Sequence, residues 1–353
     1  MSTSPSALDL LTAPLDGARR GALHVVTRSR ALAHVVGRRD ARLPLLATAQ
    51  IAVLLALTVT RPVWLFVAGP LLLGVPHLLS DVRYLGARRR VGRDVVRVGV
   101  AASGLLIALR VLDLARAALP VARLEVLAGA AWIALAVAAG ARERRSAWPL
   151  LALPAIAAVG TVAASHAWLA RLVLAQGHNV VAIGVWLLLF RRNRRAALPP
   201  IAAITAGVAL LASGATLPWA LRQGALEGPG VDLQRVGAFL IPGAPAQIAA
   251  AAALLFVFLQ AVHYATWLTW IPQDELPGQG TFTFCMTGRA LVKDLGMPLL
   301  VVAGIASLGL AGAATIDAAG AVRAYLALAA FHGYFELAML AYFAARGRVT
   351  AGA

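Results

Sequence analysis

Five of the chain's seven histidines, His77, His166, His178, His263 and His332, fall inside long apolar runs, each on a separate run. An ionisable group in such a run is costly and tends to face a cavity or the interior of a helix bundle. A neutral imidazole is also a ligand for iron, copper or zinc, so histidines from several helices can assemble one metal site. His77 precedes Asp81 by four residues and His332 precedes Glu336 by four. A helix places groups at that spacing on one face. There an acid can coordinate an ion itself, or accept the second N–H of an imidazole and fix the ligating tautomer. The bland alternative is that each histidine hydrogen-bonds to a neighbouring helix and that Asp81 meets Arg83 or Arg88. Glu336, inside the apolar run from Tyr325 to Phe343, has no solvent to explain it.

Other residues extend this constellation. Gln260, His263, Tyr264 and Trp267 fall along one helical face. Gln260 can orient water or an imidazole, Tyr264 can donate a proton, and Trp267 can pack against a flat apolar substrate. Asn179, beside His178, is a second hydrogen-bonding partner. Pro76 cannot donate to the helix ladder, and a kink there would turn His77 inward. Gly333 permits close helix approach, and Phe331, Tyr334 and Phe335 are candidates for lining an apolar chamber. The competing reading of these aromatics is helix packing. By depth, His77, His263 and His332 converge with Asp81 and Glu336, whereas His178 joins them only if helices tilt. His166 is the weakest candidate and is expected to pair with Gln176 or His178 across a connection around Arg171.

Composition decides what kind of scaffold carries these groups. Of 353 residues, 60% are hydrophobic and 13% charged, and the mean hydropathy is +0.79. That excludes an ordinary soluble enzyme, and the net charge of +17 is spread between apolar runs rather than gathered as in a nucleic-acid binder. A helix needs about 20 residues to cross the hydrocarbon layer. Ten runs qualify, at 44–60, 62–80, 98–115, 124–140, 149–170, 172–190, 197–214, 247–271, 295–312 and 321–345. The fold class is therefore all-α, a polytopic bundle of about ten spans, with eight to ten as the range. The third run is interrupted by Arg110 and Asp113, and the fourth is short.

Counted by alternate segments, 24 of the 32 Lys and Arg fall on one side, so the positive-inside rule puts both termini in the cytoplasm. Residues 1–43 form a basic arm, 44–346 a single transmembrane domain and 347–353 a short tail. The arm lacks the pattern of a cleaved signal, and Ala22–Val36 suits either an amphipathic surface helix or a disordered tail. Pro218–Ala246 and Pro272–Asp294, with its Pro277-Gly278 turn, read by default as ordinary connections, with capping of a cavity as the alternative. Cys285 is the one cysteine, which precludes an intrachain disulfide and a cysteine-cluster metal site. The expected location is a bacterial inner membrane.

The motif Gly74-Val75-Pro76-His77-Leu78-Leu79-Ser80-Asp81, with further histidines on later helices, resembles the Brp/Blh family of membrane carotene-cleaving oxygenases. The resemblance implies a multi-helix bundle whose histidines hold non-haem iron beside a lipid-accessible tunnel, splitting beta-carotene with dioxygen. It carries over His77 as an iron ligand and Asp81 as its neighbour. No later pair of histidines four apart accompanies the motif, so His178, His263 and His332 enter as ligands on depth and composition. The reading is a membrane iron oxygenase that uses Fe2+, dioxygen and a carotenoid or other lipidic substrate, with zinc or copper as alternative metals. A proton- or metal-ion-coupled transporter is the leading alternative, since intramembrane acids also serve ion pathways. A non-catalytic membrane subunit is the third. Membrane lipids are expected partners, and nucleic acid is not.

Overall fold

A computed structural model describes residues 7–347 apart from 90, 192, 223, 229 and 276–282. Two helices, α1 (Ala7–Thr27) and α2 (Arg30–Gly37), form the N-terminal arm, divided where Ser29 caps α2 through the Leu32 amide. Among the described residues, ten helices are long and apolar enough to cross a membrane. They are α3 (Arg39–Thr60), α4 (Pro62–Ala87), α5 (Arg93–Leu114), α6 (Val121–Arg144), α7 (Trp148–Ser165), α8 (Ala167–Phe190), α9 (Arg195–Ala212), α12 (Ala246–Glu275), α14 (Met297–Ile316) and α15 (Ala318–Arg346). The protein is thus a polytopic transmembrane helix bundle. The connection between α9 and α12 carries α10 (Leu217–Arg222), a two-residue antiparallel ribbon of β1 (Glu227–Gly228) and β2 (Val231–Asp232), and α11 (Leu233–Leu240). Helix α13 (Phe284–Leu295) precedes α14, while the expected Pro277-Gly278 turn and nearly all of the C-terminal tail lie outside the described residues.

A helix that is apolar nearly all round is either wrapped by other helices or bathed in lipid. Helix α12 is of the first kind, with 78% of its apolar window buried, against 6% for α14 at the periphery. Between α6 and α15 the bundle tightens where glycines remove a side chain. A Cβ at Gly140 of α6 would lie 2.5 Å from the Tyr342 carbonyl oxygen of α15, and one at Gly129 would lie 2.1 Å from the Tyr334 ring. Such small-residue contacts let membrane helices approach closely.

Two boundaries differ from the sequence reading. The break between the fifth and sixth spans falls at His166 (φ −119°, ψ 45°) and not near Arg171. Arg171 stays within α8 because its guanidinium reaches Asp113 of α5 at 2.8 Å and Glu125 of α6 at 2.6 Å. For the same reason Arg110 does not interrupt α5: it pairs with Glu125 at 2.7 Å. A charge inside an apolar run is accommodated when its partner comes from the adjacent helix. His166 is an exposed turn residue whose Nδ1 meets the Val162 carbonyl at 3.2 Å rather than pairing with Gln176 or His178.

Candidate metal centre

Helix α4 is not a uniform coil. Widened π turns at Gly69–Leu73 and Val82–Ala87 flank the α-helical Gly74–Asp81 segment, and each such insertion rotates the later turns away from their positions in a regular helix. His77 and Asp81, four residues apart on the segment that follows the first of these turns, both face the interior, each 1% exposed. A third π turn, Thr266–Trp270, comes after His263 in α12. The Trp267 carbonyl there accepts a 2.6 Å hydrogen bond from the Ser80 hydroxyl, which ties α4 to α12 beside the site. On α15, Gly333 lies against α8, where a Cβ would meet that of His178 at 3.3 Å. The close approach brings His178 to His332.

Four imidazoles therefore meet from four helices. Ring centroids are 4.9 Å apart for His77 and His332, 5.2 Å for His77 and His263, 5.0 Å for His178 and His263, and 4.8 Å for His178 and His332. The Nδ1 atoms of His77 and His178 face the Leu73 and Leu174 carbonyls at 3.3 and 3.0 Å, and Nδ1 of His332 faces the Ala329 carbonyl. A carbonyl only accepts, so each of these Nδ1 atoms carries the proton and each Nε2 presents a bare lone pair. Two such atoms, Nε2 of His77 and of His332, stand 3.4 Å apart. Two lone pairs facing at that distance repel unless a cation lies between them.

The carboxylates point to the same requirement. Both oxygens of Asp81, Oε2 of Glu336 and both ring nitrogens of His263 are buried without a hydrogen-bond partner. Glu336 Oε1 lies 3.7 Å from Nε2 of His263 and accepts a 2.7 Å hydrogen bond from the Trp267 indole. Buried polar atoms are normally satisfied, and a group of orphans about one point marks where an ion belongs. Candidate ligand atoms of His77, His263 and His332 lie within 4.8 Å of one another, as do those of Asp81, His332 and Glu336. Opposite ligands about one ion stand roughly 4 Å apart when each bond is about 2.0–2.2 Å, so a small contraction closes either set. Two carboxylates also match the charge of one divalent cation in a medium that tolerates no net charge. The residues present fit a metal ion.

Above the cluster opens a cavity of about 390 Å³ whose wall includes His178, His263, His332, Gln260, Asn179 and Tyr264. Asn179 is fully buried, its Nδ2 donating to the Ala175 carbonyl at 3.2 Å while Oδ1 has no partner. The Tyr264 ring lies 4.7 Å from that of His77. Trp267 is completely buried beneath the cluster as the partner of Glu336, a position that holds the acid rather than a substrate. Tyr334 fills the notch at Gly129, Phe335 stacks on Trp132 at 6.0 Å, and Phe331 packs at the edge of the core. These three aromatics are not part of the cavity wall.

Sequence reasoning passed over Tyr325. Its hydroxyl stands 3.5 Å from Nδ1 of His77 and meets that of Tyr264. Its ring occupies the space above Gly74, where a Cβ would come within 2.4 Å of it. The available signal was a glycine one turn before His77 and a tyrosine two turns before His332.

Compared with family models, curated proteins and solved structures, the chain matches none. Fold and site together define a class: an integral membrane helix bundle with a buried histidine and carboxylate cluster able to chelate a metal ion, as expected of a membrane metalloenzyme.

Proposed function

We propose that the protein is a membrane-embedded iron oxygenase that brings dioxygen to a lipidic chain, of which a carotenoid is the instance suggested by the Gly74–Asp81 motif. The observation that carries the metal reading is the facing pair of unprotonated Nε2 atoms of His77 and His332, 3.4 Å apart, beside two carboxylates with unpartnered oxygens. His77, His178, His263 and His332 would hold the ion, leaving coordination positions open, with Asp81 and Glu336 beside them to balance its charge. Iron bound there would supply a centre able to activate dioxygen. Addition of both oxygen atoms across one carbon–carbon double bond yields two carbonyl products and consumes no external reductant.

The remaining roles belong to the chain itself. Trp267 fixes the Glu336 carboxylate by its indole N–H. Backbone carbonyls of Leu73, Leu174 and Ala329 set the tautomers, which orients the ligating nitrogens toward one point. Tyr264 and Tyr325 can hold a proton beside His77, and Asn179 and Gln260 can orient a polar atom above the cluster. Apolar walls keep water from the reacting carbons.

Elemental analysis of the purified protein is expected to find iron. His77→Ala, His263→Ala and His332→Ala should each lower it more than His24→Ala or His34→Ala do, at matched folding. Equal metal content in all five variants would reject the site. Aerobic but not anaerobic consumption of a polyene would support the oxygenase. Metal or proton movement into reconstituted vesicles, without oxygen uptake, would favour the transporter reading instead.

A further inference from the structure

The N-terminal helix α1 meets the rest of the chain through a polar side. Asp9, Thr12, Asp16 and Arg19 recur every three or four residues and form one half-buried stripe. Both carboxylates on it grip α13. Nη2 of Arg289 lies 2.9 and 2.8 Å from the two oxygens of Asp9, and the Cys285 thiol donates to the same acid. Asp16 accepts the Phe284 amide, the first of α13, at 2.7 Å. A neighbouring stripe is left open. Leu15, Ala18, Ala22 and Val25, at the same three- and four-residue spacing, are all exposed, Val25 by 62%. A helix packed on a soluble core turns its apolar stripe inward. Helix α1 does the reverse, and its apolar stripe needs another covering.

The fold sets a membrane surface beside it. Arg38 alone separates α2 from the first span, α3. Arg42 of α3 donates to the Val36 carbonyl at the end of α2 and reaches Gln273 of α12 at 3.4 Å. Helix α13, the partner of α1, runs through Gly296 into α14. The arm is therefore held at the ends of three spans, at the level of the lipid head groups. Its free charge has one sign. The two acids of α1 are engaged by α13, while Arg20, Arg28, Arg30 and Arg38 are exposed and meet no acid among the described residues. A second copy of so basic an arm would be repelled, whereas an anionic lipid surface attracts it. An apolar stripe flanked by arginines is the pattern of a helix that lies in the plane of a bilayer.

We infer that α1 and α2 form an interfacial anchor for anionic phospholipid, with Leu15, Ala18, Ala22 and Val25 seated among the acyl chains and the arginines at the head groups. The arginines supply the preference for negative lipid and the apolar stripe supplies the depth. Asp9 and Asp16 join this anchor to α13. The inference is independent of the metal centre and of any oxygen chemistry.

Fluorescence quenching of the full chain in lipid nanodiscs tests it. A fluorophore is attached at Ala22→Cys or, on the far side of the same turn, at His24→Cys, each in a Cys285→Ser background. The quencher is phosphatidylcholine with a nitroxide near the top of its acyl chain. In discs of phosphatidylcholine mixed with phosphatidylglycerol, the Ala22→Cys label is expected to be quenched about threefold more than the His24→Cys label. Omitting phosphatidylglycerol, adding salt, or combining Arg20→Gln with Arg28→Gln should each remove about half of that difference or more. Equal quenching at the two positions would overturn the inference, and so would a difference that ignores phosphatidylglycerol. An Ala22→Cys label shielded in native membranes but open to aqueous iodide in the nanodiscs would overturn it in favour of a protein partner. Trypsin gives a check on the wild-type chain that needs no variant to fold. Relative to cleavage after Arg145, cleavage after Arg20 and Arg28 should be about threefold slower with phosphatidylglycerol than without it, and unchanged relative rates would overturn the anchor.

Discussion

At the scale of single residues, the cluster depends on groups that touch no ion directly. The Trp267 indole is the hydrogen-bond partner of Glu336, and losing such a supporting contact typically costs about 10–100-fold in metal affinity. Trp267→Phe keeps an aromatic ring but removes the indole N–H, and is expected to weaken metal binding by that factor in a chelator-competition titration, with helical content unchanged by circular dichroism. Cys285 gives a check far from the site. Its Sγ–H donates to Asp9 at 2.7 Å, which holds the thiol above its ordinary pKa. The thiolate is the reactive form, so maleimide labelling at mildly alkaline pH should be slower than at an unrestrained surface cysteine. Asp9→Asn should accelerate it and shift its pH profile downward.

Among elements, the decisive contacts are those of helix on helix at glycines. Helices α6 and α15 meet where Gly140 lies under the Tyr342 carbonyl. Gly140→Leu has no rotamer that avoids this atom, and overpacking of this kind costs about 1–3 kcal/mol. A lowered thermal unfolding temperature in detergent is the expected reading, and an unchanged one would show that α15 can slide. Helix α11 is fitted in the same way: a Cβ at Gly237 would stand 1.9 Å from the Ala249 carbonyl oxygen of α12. The connection read from sequence by default as an ordinary one thus contributes an ordered helix with Phe239 and Leu240 in the cavity wall.

For the molecule as a whole, the ten spans were legible because hydropathy is a property of local composition, whereas partners are not. Histidines stood out against apolar runs, so His77, His263 and His332 could be named from type and depth. What stayed hidden was contributed by helices remote in sequence. Arg110 and Arg171 read as interruptions until Glu125 supplied their counter-charge. Tyr325 was invisible because Gly74, the residue that admits its ring, lies far upstream. The aromatics beside His332 were visible, but Tyr334 and Phe335 are taken up by packing against Gly129 and Trp132 of α6, partners that their own spacing does not reveal. Topology remains open to direct measurement: reporters fused to the two termini should both register the cytoplasm, since arginines alternate with that polarity across an even number of spans. Opposite signals would require an odd number.

The shallow seating of α14 bears on how the protein should be handled. With only 6% of its apolar window covered by the rest of the chain, and Val302, Ile305 and Leu308 each at least 63% exposed, this helix is held largely by its surroundings. Acyl chains around it act as missing packing partners. Stripping them with a harsh surfactant would loosen this flank before it disturbs α12, so native lipid belongs to the working unit as much as any neighbouring helix does.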